Sequence, residues 1–241
     1  LQKALDASGD NTIVYLPRGT YLVSAQLRWP PSDRGNSKRG GHKRTILQGE
    51  NREETIIKLE DNCPGFTRTG ERRDRKGRVH ITRRGMIWCG TAPAQRFRNA
   101  IWDLTVDTGN GNAGVSGIQF VANNQGAVRR VTIRSGDGRG YAGLDLGYTG
   151  ENGPLLVSDL KVVGFDYGID AGAFNSATFE HIDLQNQNKA GMISHQVIAV
   201  RDLRSQNHVP VLELNKFYGT AAILDAVLNG GDPETPAIRS E

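Results

Sequence analysis

Residues 101–106 read IWDLTV, and the same short pattern returns at 129–133 (RRVTI), 158–162 (SDLKV), 180–184 (EHIDL), 200–203 (VRDL) and 223–228 (ILDAVL). Between the central residues Leu104, Val131, Leu160, Ile182, Leu203 and Ala226 the spacings are 27, 29, 22, 21 and 23 residues. A second series, GIQF, GLDL, GID, GMI and VLEL, is centred on Ile118, Leu144, Ile169, Met192 and Leu212, at intervals of 26, 25, 23 and 20. Two interleaved series with one shared period describe a solenoid whose coils each carry at least two short strands.

Within each unit apolar and polar residues alternate, as in Leu104, Thr105, Val106 or Leu144, Asp145, Leu146, the pattern of a strand with one buried face. Helical spacing is not sustained through this half of the chain. Strands this short cannot close a core alone, so stacked coils must share an apolar column. The intervening turns are rich in Gly and Asn, for example 109–114, 123–126, 136–140 and 150–153, which supply tight bends. A parallel β-helix follows, and the composition agrees: 241 residues with 30 glycines and 37% hydrophobic content suit a thin core. No apolar run approaches the ~18 residues of a membrane span. The chain opens inside a helix-like run, Leu1–Ala7, with no secretory leader, which points to a processed or incomplete start. Residues 1–229 are expected to form one domain, and 230–241, with Pro233 and Pro236, a tail or linker.

Ahead of the clear repeats, Pro17–Thr20 and Gly49–Glu53 read as turns between β-rich runs. The segments QKALDAS (2–8), VYLPRGTYLVS (14–24) and LQGENREETIIKLED (47–61), with the coils after them, resemble the pectate lyase superfamily, specifically its polygalacturonase-related β-helix domain. The resemblance covers nearly the whole chain. It implies an all-β fold: a right-handed, single-stranded parallel β-helix of three parallel sheets, closed at its N-terminal end by a short capping helix. It also implies an extracellular or periplasmic enzyme acting on a polysaccharide held along one outer face. A glycoside hydrolase using paired carboxylates is the leading expectation. A polysaccharide lyase acting on a uronate with Ca2+ and an arginine base is the second, and a non-catalytic, tailspike-like glycan-binding module the third. The Asn-Thr-Asp, paired Asp-Asp, Gly-His-Gly and Arg-Ile-Lys motifs of polygalacturonases are absent, so no residue role transfers directly.

The repeat itself locates candidate chemistry. Outward positions of the GLDL series form one column: Gln119, Asp145, Asp170, Ile193 and Glu213. Adjacent coils lie about 4.7–4.9 Å apart, which sets Asp145 beside Asp170, with Glu213 two coils beyond. Two carboxylates this close resist joint ionisation, so one pKa should rise, as a general acid requires. Nearby turns add Asp137 and Asp166 as further catalytic candidates. Arg134, Arg139, Tyr141, Tyr148, Tyr167 and Gln119 are candidate substrate-binding residues, the aromatic rings for stacking on sugars and the arginines as candidate lyase bases. The alternatives for the aspartates are a solvated polar face or a hard-cation site made by Asp145, Asp170 and Asp166.

A second outward column, Asp103, Arg130, Asp159, His181, Asp202 and Asp225, mixes signs along successive coils and reads as scaffold held by weak cross-strand ion pairs. The net charge of +4 is uneven. Residues 68–84 carry seven Arg and one Lys against Glu71 and Asp74, and residues 30–44 carry five basic residues against Asp33. These runs are either solvated loops or recruiters of an acidic glycan. They lack the interleaved aromatics of a nucleic-acid surface, so nucleic acid is not expected as a partner. Cys63 and Cys89, about one coil apart, either bridge or stay as buried thiols. With His42, His80, His181, His195 and His208 they show no metal-ligand spacing, and no cofactor motif is present.

Overall fold

The computed structural model describes residues 1–29, 44–73, 75, 77, 79–90, 96–173, 175–214 and 219–240. The alternating segments form strands that stack in parallel, coil upon coil. A short helix, α1 (Gln2–Ala7), precedes the first coil, made of β1 (Thr12–Leu16), β2 (Gly19–Val23) and β3 (Leu27–Arg28). The second coil contains β4 (Thr45–Gly49), β5 (Thr55–Leu59) and β8 (Arg84–Trp88). An antiparallel hairpin, β6 (Gly70–Arg73) and β7 (Val79–Thr82), is inserted between β5 and β8.

Each later coil has one long and one short strand. The third is β9 (Ala100–Asp107) and β10 (Val115–Gln119), and the fourth β11 (Gly126–Arg134) and β12 (Ala142–Asp145). The fifth is β13 (Leu155–Val163) and β14 (Tyr167–Ala171), and the sixth β15 (Ser176–Gln185) and β16 (Ala190–Ser194). The seventh is β17 (Val197–Gln206) and β18 (Leu212–Leu214), and the last described coil β19 (Thr220–Asn229) and β20 (Ile238–Ser240). The short strands build one sheet in the order β20-β18-β16-β14-β12-β10-β8-β3, and the long strands continue the walls begun by β1–β4 and by β2–β5. This is the parallel β-helix expected from the repeat.

A long strand serves two walls because it bends at one residue. Asp103, Arg130, Asp159, His181, Asp202 and Asp225 all have φ between 50° and 60°. That left-handed conformation breaks the ladder: Trp102 pairs with Arg129 and Leu104 with Val131, but Asp103 and Arg130 do not pair. The column expected on a strand face therefore lies on the corner between two walls. Its mixed signs do pair, Arg130 with Asp103 and His181 Nδ1 with Asp202 at 2.8 Å.

The apolar partners of the repeat fill the interior, with Leu104, Val131, Leu160, Ile118, Leu144 and Ile169 at most 1% exposed. The glycine that opens GIQF and GLDL is required by this packing. A Cβ on Gly117 would stand 2.4 Å from Ile133 Cγ2, and one on Gly143 only 2.3 Å from Val162 Cγ1. At the N-terminal end, α1 buries Leu5 against the core. Gln2 covers the edge of β3 in the manner of a strand: its amide donates to Arg28 O at 3.0 Å and accepts from Arg28 N at 2.8 Å.

One expectation changes, and one of two alternatives is met. Within the segment 230–241, Ile238–Ser240 pairs in parallel with Leu212–Leu214, so this stretch carries another strand instead of lying free. Cys63 and Cys89 are both free and buried; Cys63 Sγ faces Ser24 O at 3.2 Å, and burial pushes the Cys89 thiol well up. Of the two basic runs, residues 30–43 and Asp74, Lys76 and Arg78, on which the expected glycan recruitment partly falls, lie outside the described residues. Among the described residues no helix is long and apolar enough to cross a membrane.

Candidate functional site

The register of the short-strand sheet sets Gln119 opposite Asp145 and Asp145 opposite Asp170, as the column predicts. The structure adds a residue that the column does not contain. The insertion between β5 and β8 returns to the coil through Arg83, whose guanidinium lies over both carboxylates. Arg83 donates from Nε to Asp145 Oδ2 at 2.8 Å, and from Nη2 to Asp145 Oδ1 at 3.1 Å and Asp170 Oδ2 at 2.9 Å. It also stacks 4.4 Å from the centre of the Tyr141 ring.

The rest of the network completes both carboxylates. Asp145 Oδ2 accepts from Gln119 Nε2 at 3.0 Å and Ser116 Oγ at 3.2 Å. Asp170 accepts from the Tyr141 hydroxyl at 2.8 Å and from the backbone N–H of Gly172 at 2.9 Å. Asp145 is wholly buried and Asp170 is 3% exposed, whereas Tyr141 reaches 9%. Tyr141 and Arg83 are thus the members that meet solvent. Tyr167 stands edge-on to Tyr141, their ring centres 5.5 Å apart.

Charge and burial compete here. Burial, and then the neighbouring Asp145, push the Asp170 carboxyl above its ordinary range, against the opposing effect of Arg83, Tyr141 and Gly172. Burial also works against the Arg83 cation, but Asp145 and Asp170 together hold it firmly charged. The Tyr141 phenol is raised by burial and by Asp170, so it is a hydroxyl donor at neutral pH.

The other expected residues have separate duties. Asp137 closes its own turn, accepting from the backbone N–H of Gly111 and Arg139 and from Ser135 Oγ; those donors outweigh burial and lower its pKa. Arg139 is an exposed turn residue. Asp166 pairs with Lys189 at 2.7 Å and Glu213 with Arg239 at 2.8 Å. Arg134 pairs with Asp107 on the far wall, away from the acid pair. The Tyr148 hydroxyl donates to Gly90 O, so it is spent on holding a turn. The site therefore gathers Asp145, Asp170, Gln119, Tyr141 and Tyr167, and leaves Asp137, Asp166, Glu213, Arg134, Arg139 and Tyr148 outside the network.

A hard cation does not fit this donor set. The oxygens of Asp145 already accept four hydrogen bonds, a guanidinium lies between the two carboxylates, and Asp166 is turned to Lys189.

Residues 1–210 match the family described as rhamnogalacturonase A/epimerase, pectate lyase-like. Among solved structures, the A-module of the mannuronan C-5 epimerase AlgE4 from Azotobacter vinelandii is similar, with 15% identity and a TM-score of 0.40, over 98% of this chain and 75% of that one. No curated protein matches the chain. The match over most of the length, on a parallel β-helix, makes this chain a member of the rhamnogalacturonase A/epimerase family of pectate lyase-like proteins.

Proposed function

We propose that the chain is a carbohydrate-active enzyme that cleaves glycosidic bonds in a uronate-containing polysaccharide, with Asp170 as the proton donor. The observation that carries this reading is the Asp170–Tyr141 hydrogen bond beneath Arg83. A buried carboxyl with a raised pKa keeps its proton nearer to neutral pH, and Tyr141 stands between it and solvent. Asp170 passes its proton to the Tyr141 oxygen as the Tyr141 hydroxyl gives its own to the leaving glycosidic oxygen; as that C–O bond breaks, a solvent water bonds to the anomeric carbon, and the proton that the water gives up restores the Asp170 acid.

Asp145 takes a different part from the one its register suggests. It has no exposed surface and four donors, so it holds Arg83 in place and does not face the sugar. A single Arg83 nitrogen bonds both carboxylates, leaving no room between them for the water that an inverting pair of carboxylates places there. The partial exposure of Arg83 beside Tyr141 favours a second reading, elimination or epimerisation at a uronate, with the guanidinium against the sugar carboxylate.

Incubation with neutral, uronic and sulfated polysaccharides tests these readings. Hydrolysis yields new reducing ends alone. Elimination adds ultraviolet-absorbing unsaturated ends, and epimerisation gives solvent deuterium in the polymer without cleavage. Asp170→Asn and Tyr141→Phe are expected to lower kcat by about 100-fold or more while the thermal melt remains cooperative. Undiminished turnover in Asp170→Asn sinks the assignment, and no reaction of the parent protein across the panel favours a glycan-binding module.

A further inference from the structure

The corner between the two long-strand walls, expected to be scaffold, is concave. A groove of about 790 Å3 runs along it past Arg129, Arg130, Ser158, Glu180 and Arg204 of the fourth to seventh coils, with the Arg52 side chain reaching in from the second. Three intervals of about 4.8 Å give it a length of roughly 14 Å. A second concavity of about 360 Å3, lined by Ala127, Pro154, Leu155 and Leu156, adjoins it. Arg129 and Leu156 border both.

The arginines along this groove are not equivalent. Arg52 is held by Asp159 at 2.7 Å and by Thr132, Arg130 by Asp103, and Arg204 by Asp202 at 3.3 Å. Arg129 is exposed, and among the described residues its guanidinium makes no hydrogen bond or ion pair. The register then places Ser158 beside Arg129 and Glu180 beside Ser158, one coil at a time. An unspent guanidinium, a hydroxyl and a carboxylate thus stand in line next to an apolar shelf made by Leu156 and its neighbours.

We propose that this groove is a second glycan site, which binds a uronate-bearing oligosaccharide along the corner with Arg129 on its carboxylate. The forked guanidinium suits a carboxylate, Ser158 and Glu180 suit ring hydroxyls, and Leu156 suits the C–H face of a sugar. The groove lies on the long-strand walls, whereas Asp170 lies on the short-strand sheet, so the two sites do not overlap. An enzyme with both holds a polymer at a distance from the bond it attacks. The choice of a glycan as occupant rests on the reading of the chain as acting on such polymers.

The test titrates a size-fractionated uronate oligosaccharide into protein with labelled leucine methyls. In the parent and in Asp170→Asn, the Leu156 methyl signals are expected to shift in a saturable way. In Arg129→Ala the same shift should need at least about tenfold more ligand, with turnover of short substrates unchanged. A neutral oligosaccharide of equal length should bind at least as weakly as the uronate does to Arg129→Ala. Unmoved Leu156 signals in the parent, equal affinity for the neutral sugar, or equal affinity in Arg129→Ala overturn the proposal. So do Leu156 shifts that track protein concentration together with dimers in light scattering, which assign the face to a second copy of the chain. Saturable Leu156 shifts without any turnover leave the groove standing and remove the catalytic reading.

Discussion

Arg83 determines what Asp145 and Asp170 can do. Without it, two stacked aspartates on a solvated sheet would be an ordinary acidic surface; beneath it they are a buried, hydrogen-bonded pair in which one member favours its proton. This has a measurable consequence for stability. Because Asp170 binds its proton more tightly in the folded chain than in the unfolded one, its contribution to stability falls as pH rises from the ordinary carboxylate value of 3.8 through the raised one. Asp170→Asn lacks that proton. The melting temperature of the variant minus that of the parent should therefore become more positive between about pH 4 and pH 7. A constant difference across this range would show that Asp170 titrates alike in both states.

Among the elements, the strand pattern was open to the sequence and the corners were not. Alternation marks which residues of IWDLTV and GLDL face inward, and the period places Asp145 next to Asp170. The bend of each long strand depends on a left-handed residue, and although Asp103, Asp159, Asp202, Asp225 and His181 are of types that suit that conformation, Arg130 carries no local signal for it. Arg83 was hidden for a different reason. It lies inside a basic run that reads as a loop, and its partners are 62 and 87 residues away, beyond the reach of any period. The nearest warning was a mismatch: a face whose aspartates had no cation in their own column. The glycines preceding the inward residues, by contrast, could be read from the repeat. Gly143→Val should destabilise the chain by about 3 kcal/mol or more in denaturant titration, because its side chain must displace Val162 inside a filled core. A loss below about 0.5 kcal/mol would mean that the strand moves aside freely.

At the scale of the molecule, a solenoid is expected to be held by contacts between neighbouring coils, each coil adding its own increment. Two arginines of the second coil depart from this. Arg83 reaches Asp145 in the fourth coil and Asp170 in the fifth, and Arg52 reaches Thr132 and Asp159 in the same two coils from the corner side. The walls on both sides are thereby tied across the third coil. Native-state hydrogen exchange should show β8 to β14 opening as one unit, with β17 to β20 opening at lower free energy. Combined Arg52→Met and Arg83→Met replacement should separate that unit into smaller ones. Uniform opening energies from β8 to β20 would contradict it.

These ties also restrict how the chain can be lengthened. A repeat architecture ordinarily tolerates the gain or loss of a whole coil, since every joint resembles the next. Between the second and fifth coils this freedom is lost, because one extra coil would carry Asp145, Asp159 and Asp170 out of reach of the arginines that hold them. Duplication or deletion of coils without loss of the acid pair is confined to places outside that stretch, such as the coils after β14.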